Sequence, residues 1–103
     1  MVVERYARPI YISVTSQAAT NTDAIKRSTR LAFLSAKPTE ADLHVTLKNA
    51  KTGAVVWKIE ADDGAGSHFE NFSPPLIFPD GINVHTEGGG TDSCVCLGVI
   101  EPL

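Results

Sequence analysis

No stretch of the chain approaches the ~20 consecutive apolar residues that a bilayer-spanning helix requires. Its amino-terminal MVVERYARP carries charges where an export signal would place its apolar segment. The expectation is a protein that neither crosses a membrane nor leaves by that export route. Cysteine is scarce: Cys94 and Cys96 are the two in the chain, both in SCVCLGVI. On an extended strand their Cα atoms stand roughly 6.5–7 Å apart, at or beyond the reach of a disulfide. They are expected to be buried free thiols, which fits assembly inside a reducing cell.

Catalytic and metal signatures are missing as well. There is no G-x-S-x-G elbow, no H-E-x-x-H, and no GK[ST] after the glycines of LIFPDGINVHTEGGG. A phosphate-binding glycine loop should open a helix, but TDSCVCLGVI follows Gly88-Gly89-Gly90 and is patterned as a strand. Pro79-Asp80-Gly81 is therefore a turn between strands, and the glycines form a second turn into the last strand. The acidic Asp62-Asp63-Gly64 lacks the alternate ligands of a calcium loop, and Glu60 and Glu70 do not supply them. His44, His68 and His85 have no cysteine or carboxylate at ligand spacing, with the first two strand-borne histidines, His44 and His85, facing outward and His68 in a loop. Asn71-Phe72-Ser73 spells a glycosylation sequon but is followed by Pro74 and lacks an export signal. No catalytic, cofactor or metal residue is assigned, and an enzyme is not expected.

What the chain does contain is a period of two. Ile10, Ile12 and Val14 share one face of a strand and Tyr11, Ser13 and Thr15 the other. Leu43, Val45 and Leu47 alternate with His44, Thr46 and Lys48, while Val55, Trp57 and Ile59 alternate with Val56, Lys58 and Glu60. The Asn49–Gly53 loop between these runs marks a hairpin. In the ambiguous TDAIKRSTRLAFLSA, a strand near 24–26, a turn through 28–30 and a strand at 31–36 are preferred to a helix, because the apolar stripe is patchy and the rest of the chain is β. CVCLGVI is apolar on both faces, as a central strand covered on both sides would be, and Gly98 within it signals a bulge or a close neighbour. The fold class is all-β: a single-domain sandwich or jelly-roll-like barrel of short antiparallel strands over 9–103, preceded by an arm at 1–8.

The net charge of −3 conceals an asymmetry. Residues 1–52 hold eight basic and four acidic groups, and residues 53–103 one basic and eight acidic. The plain reading is that a sheet fold interleaves the halves; the sharper one is a protomer with a positive and a negative edge that meet head to tail and close a ring. Lys26, Arg27 and Arg30 form the one basic cluster, while the acidic balance and pI near 5.5 speak against nucleic acid. A solvated turn is its plainest role, and contact with an acidic protein patch comes next. Arg5, Tyr6 and Arg8 of the arm complete the candidate interface, since aromatics and arginine are favoured at such surfaces.

The hairpin LHVTLKNAKTGAVVWKI, together with the corner Phe78, Gly81, Ile82, Val84, then Gly89 and the run Val95 to Val99, resembles small virion proteins of tailed bacteriophages over about residues 40–101. The matching positions are structural, so no functional residue carries over. The resemblance implies a β-sandwich virion component: a decoration or cement protein that binds and stabilises the assembled shell. The alternative is a tail or fibre accessory with a receptor- or carbohydrate-binding surface, although only seven aromatic residues are available to stack on sugars. The implied partners are the major capsid protein or other virion proteins and further copies in a homotrimer, with neither nucleic acid nor membrane. The implied location is the capsid surface after assembly in the host cytoplasm.

Overall fold

The computed structural model describes residues 7–100, and the arm residues Arg5 and Tyr6 lie outside that range. Eight strands account for the fold: β1 (Arg8–Val14), β2 (Thr20–Ile25), β3 (Thr29–Lys37), β4 (Leu43–Asn49), β5 (Val55–Ala61), β6 (His68–Phe78), β7 (Ile82–Gly88) and β8 (Ser93–Ile100). A single 3-10 turn at Asp63–Ala65 follows β5, its first amides capped by the Asp62 carboxylate, which accepts from the Gly64 N–H at 2.8 Å. The strands form two four-stranded sheets, ordered β1-β8-β3-β6 and β2-β7-β4-β5, and every pairing is antiparallel.

The pairing has a simple logic. β1 pairs with β8, β2 with β7, β3 with β6 and β4 with β5, as in one long hairpin, and the hairpin is then rolled so that β3 meets β8 and β4 meets β7. This is a jelly roll. The expected all-β sandwich is thus realised, including the 43–60 hairpin and the β assignment of TDAIKRSTRLAFLSA.

Alternation places the core between the sheets. Ile12, Leu31, Leu34, Phe78, Val95 and Leu97 from one sheet meet Ile25, Leu43, Val45, Leu47, Ile82 and Val84 from the other, all of them buried. Leu and Phe fill the ~10 Å between layers that β-branched residues alone would leave loose. Trp57 packs against this core, edge-on to Phe72 with centroids 5.1 Å apart.

Two bulges revise the alternation read from the sequence. In β5, Leu47 faces Trp57 but Lys48 faces Val55, so Val56 turns toward the core and Val55 is exposed. β6 is also not the short Leu76–Phe78 strand expected before the corner: it runs for 11 residues, with a register shift that takes up Pro74 and Pro75 on an edge strand, where a missing N–H breaks no ladder. The same extension puts His68 at the start of a strand, not in a loop, with its Nε2 3.0 Å from the Glu70 carboxylate.

The Pro79-Asp80-Gly81 corner is a turn between β6 and β7, as expected. Gly81 has φ 108, and a Cβ there would overlap the Ile25 carbonyl, so only glycine fits. Buried Asn49 ties this turn to the β4–β5 loop: its Nδ2 donates to Asp80 Oδ2 and its Oδ1 accepts from the Asp80 N–H, both at 3.0 Å.

Candidate docking surface

The two outward faces of the sandwich differ in chemistry. On the β2-β7-β4-β5 sheet, Asp23, Asn83, His85, His44, Lys58 and Glu60 face solvent. Short polar contacts link them across strands, including Asn83 Nδ2 to Asp23 Oδ1 at 2.9 Å and a 3.2 Å contact between His85 Nδ1 and Asn21 Oδ1. These cross-strand contacts pair polar side chains of the face with one another.

The other outward face, on β1-β8-β3-β6, carries large apolar side chains on three of its strands, with Ser13, Arg30, Ser35, Lys37 and Asn71 among them. Register aligns Tyr11, Cys96, Ser35 and Phe69 in one row across the four strands, and Pro9, Gly98, Phe33 and Asn71 in the next. A third row, Ile100, Arg30 and Ile77, lies toward one end. Phe33 lies over Gly98, where any side chain would overlap its ring, and stacks on Phe69 with centroids 5.8 Å apart. Tyr11 is 71% exposed, Ile77 66% and Phe69 57%. Large apolar side chains gathered on one face, opposite a polar face of the same domain, mark a surface meant to be covered.

The cysteines belong to this face, which corrects the expectation that they are buried. They are free, as expected, but half-buried, because β8 is covered on its inner side alone among the described residues. Burial pushes the Cys96 thiol above its ordinary value of 9.0; a hydrogen bond from Tyr11 pulls the other way, and neighbouring Cys94 adds to the rise. No group of three or more His, Cys, Asp or Glu able to hold a metal occurs among the described residues.

The described candidate interface residues gather at one end of the sandwich, Arg30 among them at the end of this face. Arg8 opens β1, Lys26 and Arg27 sit in the β2–β3 turn, and Arg30 is on β3 beside Ile100 and Ile77, so four of the six share one end of the sandwich. There, a shallow groove of about 440 Å³ is lined by Asp23, Lys26, Arg27, Ser28, Lys51 and Asp80 among others. Tyr11, Phe33, Phe69 and Ile77 were not singled out by the sequence reading. The outward phase of Tyr11 beside Ser13 was its available signal; the others needed the register of β3 and β6.

The charge asymmetry of the two chain halves does not survive as two edges, since both sheets draw strands from both halves. It reappears end to end. Among the described residues Arg8, Lys26, Arg27, Arg30, Lys48 and Lys51 lie at the end defined by the β2–β3, β4–β5 and β6–β7 connections, with Asp23 and Asp80 as the described carboxylates there. Glu40, Asp42, Glu60, Asp62, Asp63, Glu87 and Asp92 lie toward the opposite end, with Lys37 as its one described cation.

The fold defines the class: a jelly-roll domain with one wet and one dry outer face. No family model and no curated protein matches the chain. Among solved structures it is similar to a virus-like particle of the extra small virus of the giant freshwater prawn Macrobrachium rosenbergii, at 15% identity and a TM-score of 0.46, covering 96% of this chain and 79% of that one. No residue role passes from that partial overlap to this chain.

Proposed function

We propose that the chain is a non-enzymatic structural protein of a virion, a bacteriophage capsid decoration protein that seats its apolar β1-β8-β3-β6 face on the assembled shell as a homotrimer. The observation that carries this reading is that face. Tyr11, Phe33, Phe69 and Ile77 spread over all but one of its strands, so covering them requires a partner as broad as the sheet. Four strands at ~4.8 Å spacing and about eight residues at ~3.3 Å make a footprint of roughly 500 Å² per partner before side-chain relief is counted, in the range where modest interfaces begin. Jelly rolls serve both as viral shell domains and as lectins, so the fold admits the role without specifying it.

The test is sedimentation of the purified protein with assembled shells and with free shell subunits. Binding to shells alone, together with shells that resist heat better when decorated, supports the proposal. Equal heat resistance with and without the protein removes it. A second reading, a tail accessory protein that binds carbohydrate, draws on the exposed Tyr11 and Phe69 rings as stacking platforms. A glycan array without signal above background eliminates that reading.

A further inference from the structure

We infer that copies of this chain associate head to tail, the basic end of one sandwich against the acidic end of the next. The inference does not depend on shell docking; it uses the ends of the sandwich and not its apolar face, and it needs no second kind of protein.

Three observations combine. First, among the described residues the ends are opposite in sign: six cations against two carboxylates leave +4 at one, and seven carboxylates against one cation leave −6 at the other. The central Lys58 and Glu70 cancel, so the charge is polar in its layout and not merely negative in total. Second, four of these six cations are not consumed within the protomer. Among the described residues Lys26, Arg30, Lys48 and Lys51 have no ion-pair partner. The carboxylates beside them are engaged by amides, Asp80 by Asn49 and Asp23 by Asn83. Third, the poles are separated by strands of seven or eight residues. That is roughly 25 Å at ~3.3 Å per residue, about three Debye lengths at physiological ionic strength. One end cannot neutralise the other inside a protomer, whereas a second copy can.

The shapes agree with the charges. The basic end has a shallow groove where Lys26, Arg27 and Lys51 outnumber the carboxylates Asp23 and Asp80. The acidic end carries the exposed Asp62–Asp63 turn, which Asp42 ties to β4 by accepting the Asp63 N–H at 2.9 Å. An exposed acidic turn entering a basic groove is a heterologous contact. Repeated, such a contact closes into a ring where the rotation per copy divides a full turn, and otherwise grows a filament.

The experiment is the solution mass of the whole protein, by light scattering, at about 50 mM and about 1 M salt, where screening lengths fall from over 10 Å to about 3 Å. Two charge-reversed variants accompany it: Lys26→Glu with Lys51→Glu, and Asp63→Lys with Glu87→Lys, all at exposed positions. The expected result is an oligomer at low salt that dissociates at high salt. By the charges of the described residues the first variant takes the basic end from +4 to 0 and the second takes the acidic end from −6 to −2, so each should associate more weakly than wild type. An equimolar mixture should pair through the one intact junction, the acidic end of the first against the basic end of the second. A wild-type monomer at low salt overturns the inference. So does an oligomer that persists at high salt and in both variants, which would place the contact on the apolar face. Circular dichroism melts establish that each variant folds; where one does not, the neutralising Lys26→Gln, Lys51→Gln pair must still weaken assembly.

Discussion

Replacing Tyr11 and Ile77 by threonine, singly and together, tests whether one broad partner covers the apolar sheet. Threonine is β-branched and, like tyrosine and isoleucine, favoured in strands, so the backbone has no reason to change. The exposed fractions, 71% for Tyr11 and 66% for Ile77, set the magnitudes. An aromatic side chain offers about 200 Å², so roughly 140 Å² of Tyr11 remains for a partner, and a flat surface covering one side of the ring takes about half. At ~25 cal/mol/Å² this gives about 1.8 kcal/mol, and two-thirds of the ~2 kcal/mol for a fully buried isoleucine gives about 1.3 kcal/mol. Each single variant should therefore bind assembled shells about 10- to 20-fold more weakly.

The double variant carries the sharper information. Tyr11 is on β1 and Ile77 on β6, the two edge strands of the sheet, three interstrand spacings apart, or roughly 14 Å. At such separation energies add, so the double variant should lose about 100-fold or more. The assay is a binding isotherm by co-sedimentation at 25 °C, with melts to show that the fold persists. Both single variants within twofold of wild type would refute the docking surface. A double variant no weaker than one of the singles would mean that the partner touches one edge only, and the full-face argument would fail.

Three further outcomes follow from the core, the corner and the thiol. Phe78→Ala removes the largest fully buried side chain and should cost about 3–5 kcal/mol in denaturant unfolding; a loss under 1 kcal/mol would contradict the packing described. Gly81→Ala, whose Cβ overlaps the Ile25 carbonyl, should destabilise by over ~2 kcal/mol, whereas Gly53→Ala, also at positive φ but facing open space, should cost only about 1 kcal/mol. Equal losses would mean that the overlap is relieved at no cost. The Cys96 thiol, raised chiefly by its partial burial, should alkylate with a midpoint at higher pH than a peptide thiol, and Tyr11→Phe should shift it higher by removing the hydrogen bond that favours thiolate. Because the folded state holds this proton more tightly, its contribution to stability is complete below the ordinary thiol range and is lost as pH rises through the folded value. A midpoint unchanged in Tyr11→Phe would remove that hydrogen bond from the account.

Much of the fold was legible because period-two alternation states which side chains face inward: Ile12 and Val14, or Leu43, Val45 and Leu47, are where the pattern puts them. The turns were legible too, since Pro79-Asp80-Gly81 has the chemistry of a corner. What failed was local to register. Nothing in AVVWKIE announces that Val56 faces the core, because a bulge is decided by the partner strand β4. Nothing around Pro74-Pro75 shows that an edge strand continues through them, because tolerance of a missing N–H depends on which strand lies beyond. The candidate site was divided in the same way. Lys26, Arg27 and Arg30 are adjacent in sequence and easily seen, whereas Tyr11, Phe33 and Phe69 become neighbours only through the order β1-β8-β3-β6.

The behaviour of β8 links these failures to function. Its sequence, apolar on both faces, demands two covers, and a central strand in a sandwich has only one facing sheet. The described residues supply the inner cover and leave Cys94, Cys96 and Ile100 half-exposed on the other side. Neighbouring strands could have screened that side with long charged side chains, as the opposite sheet does with Lys58 and Glu60. β3 does so only near the two ends, with Arg30 and Lys37, and between them Phe33, Phe69 and Tyr11 extend the apolar surface. A strand patterned for two covers, set among Phe33, Phe69 and Tyr11, is the feature on which the proposed docking rests.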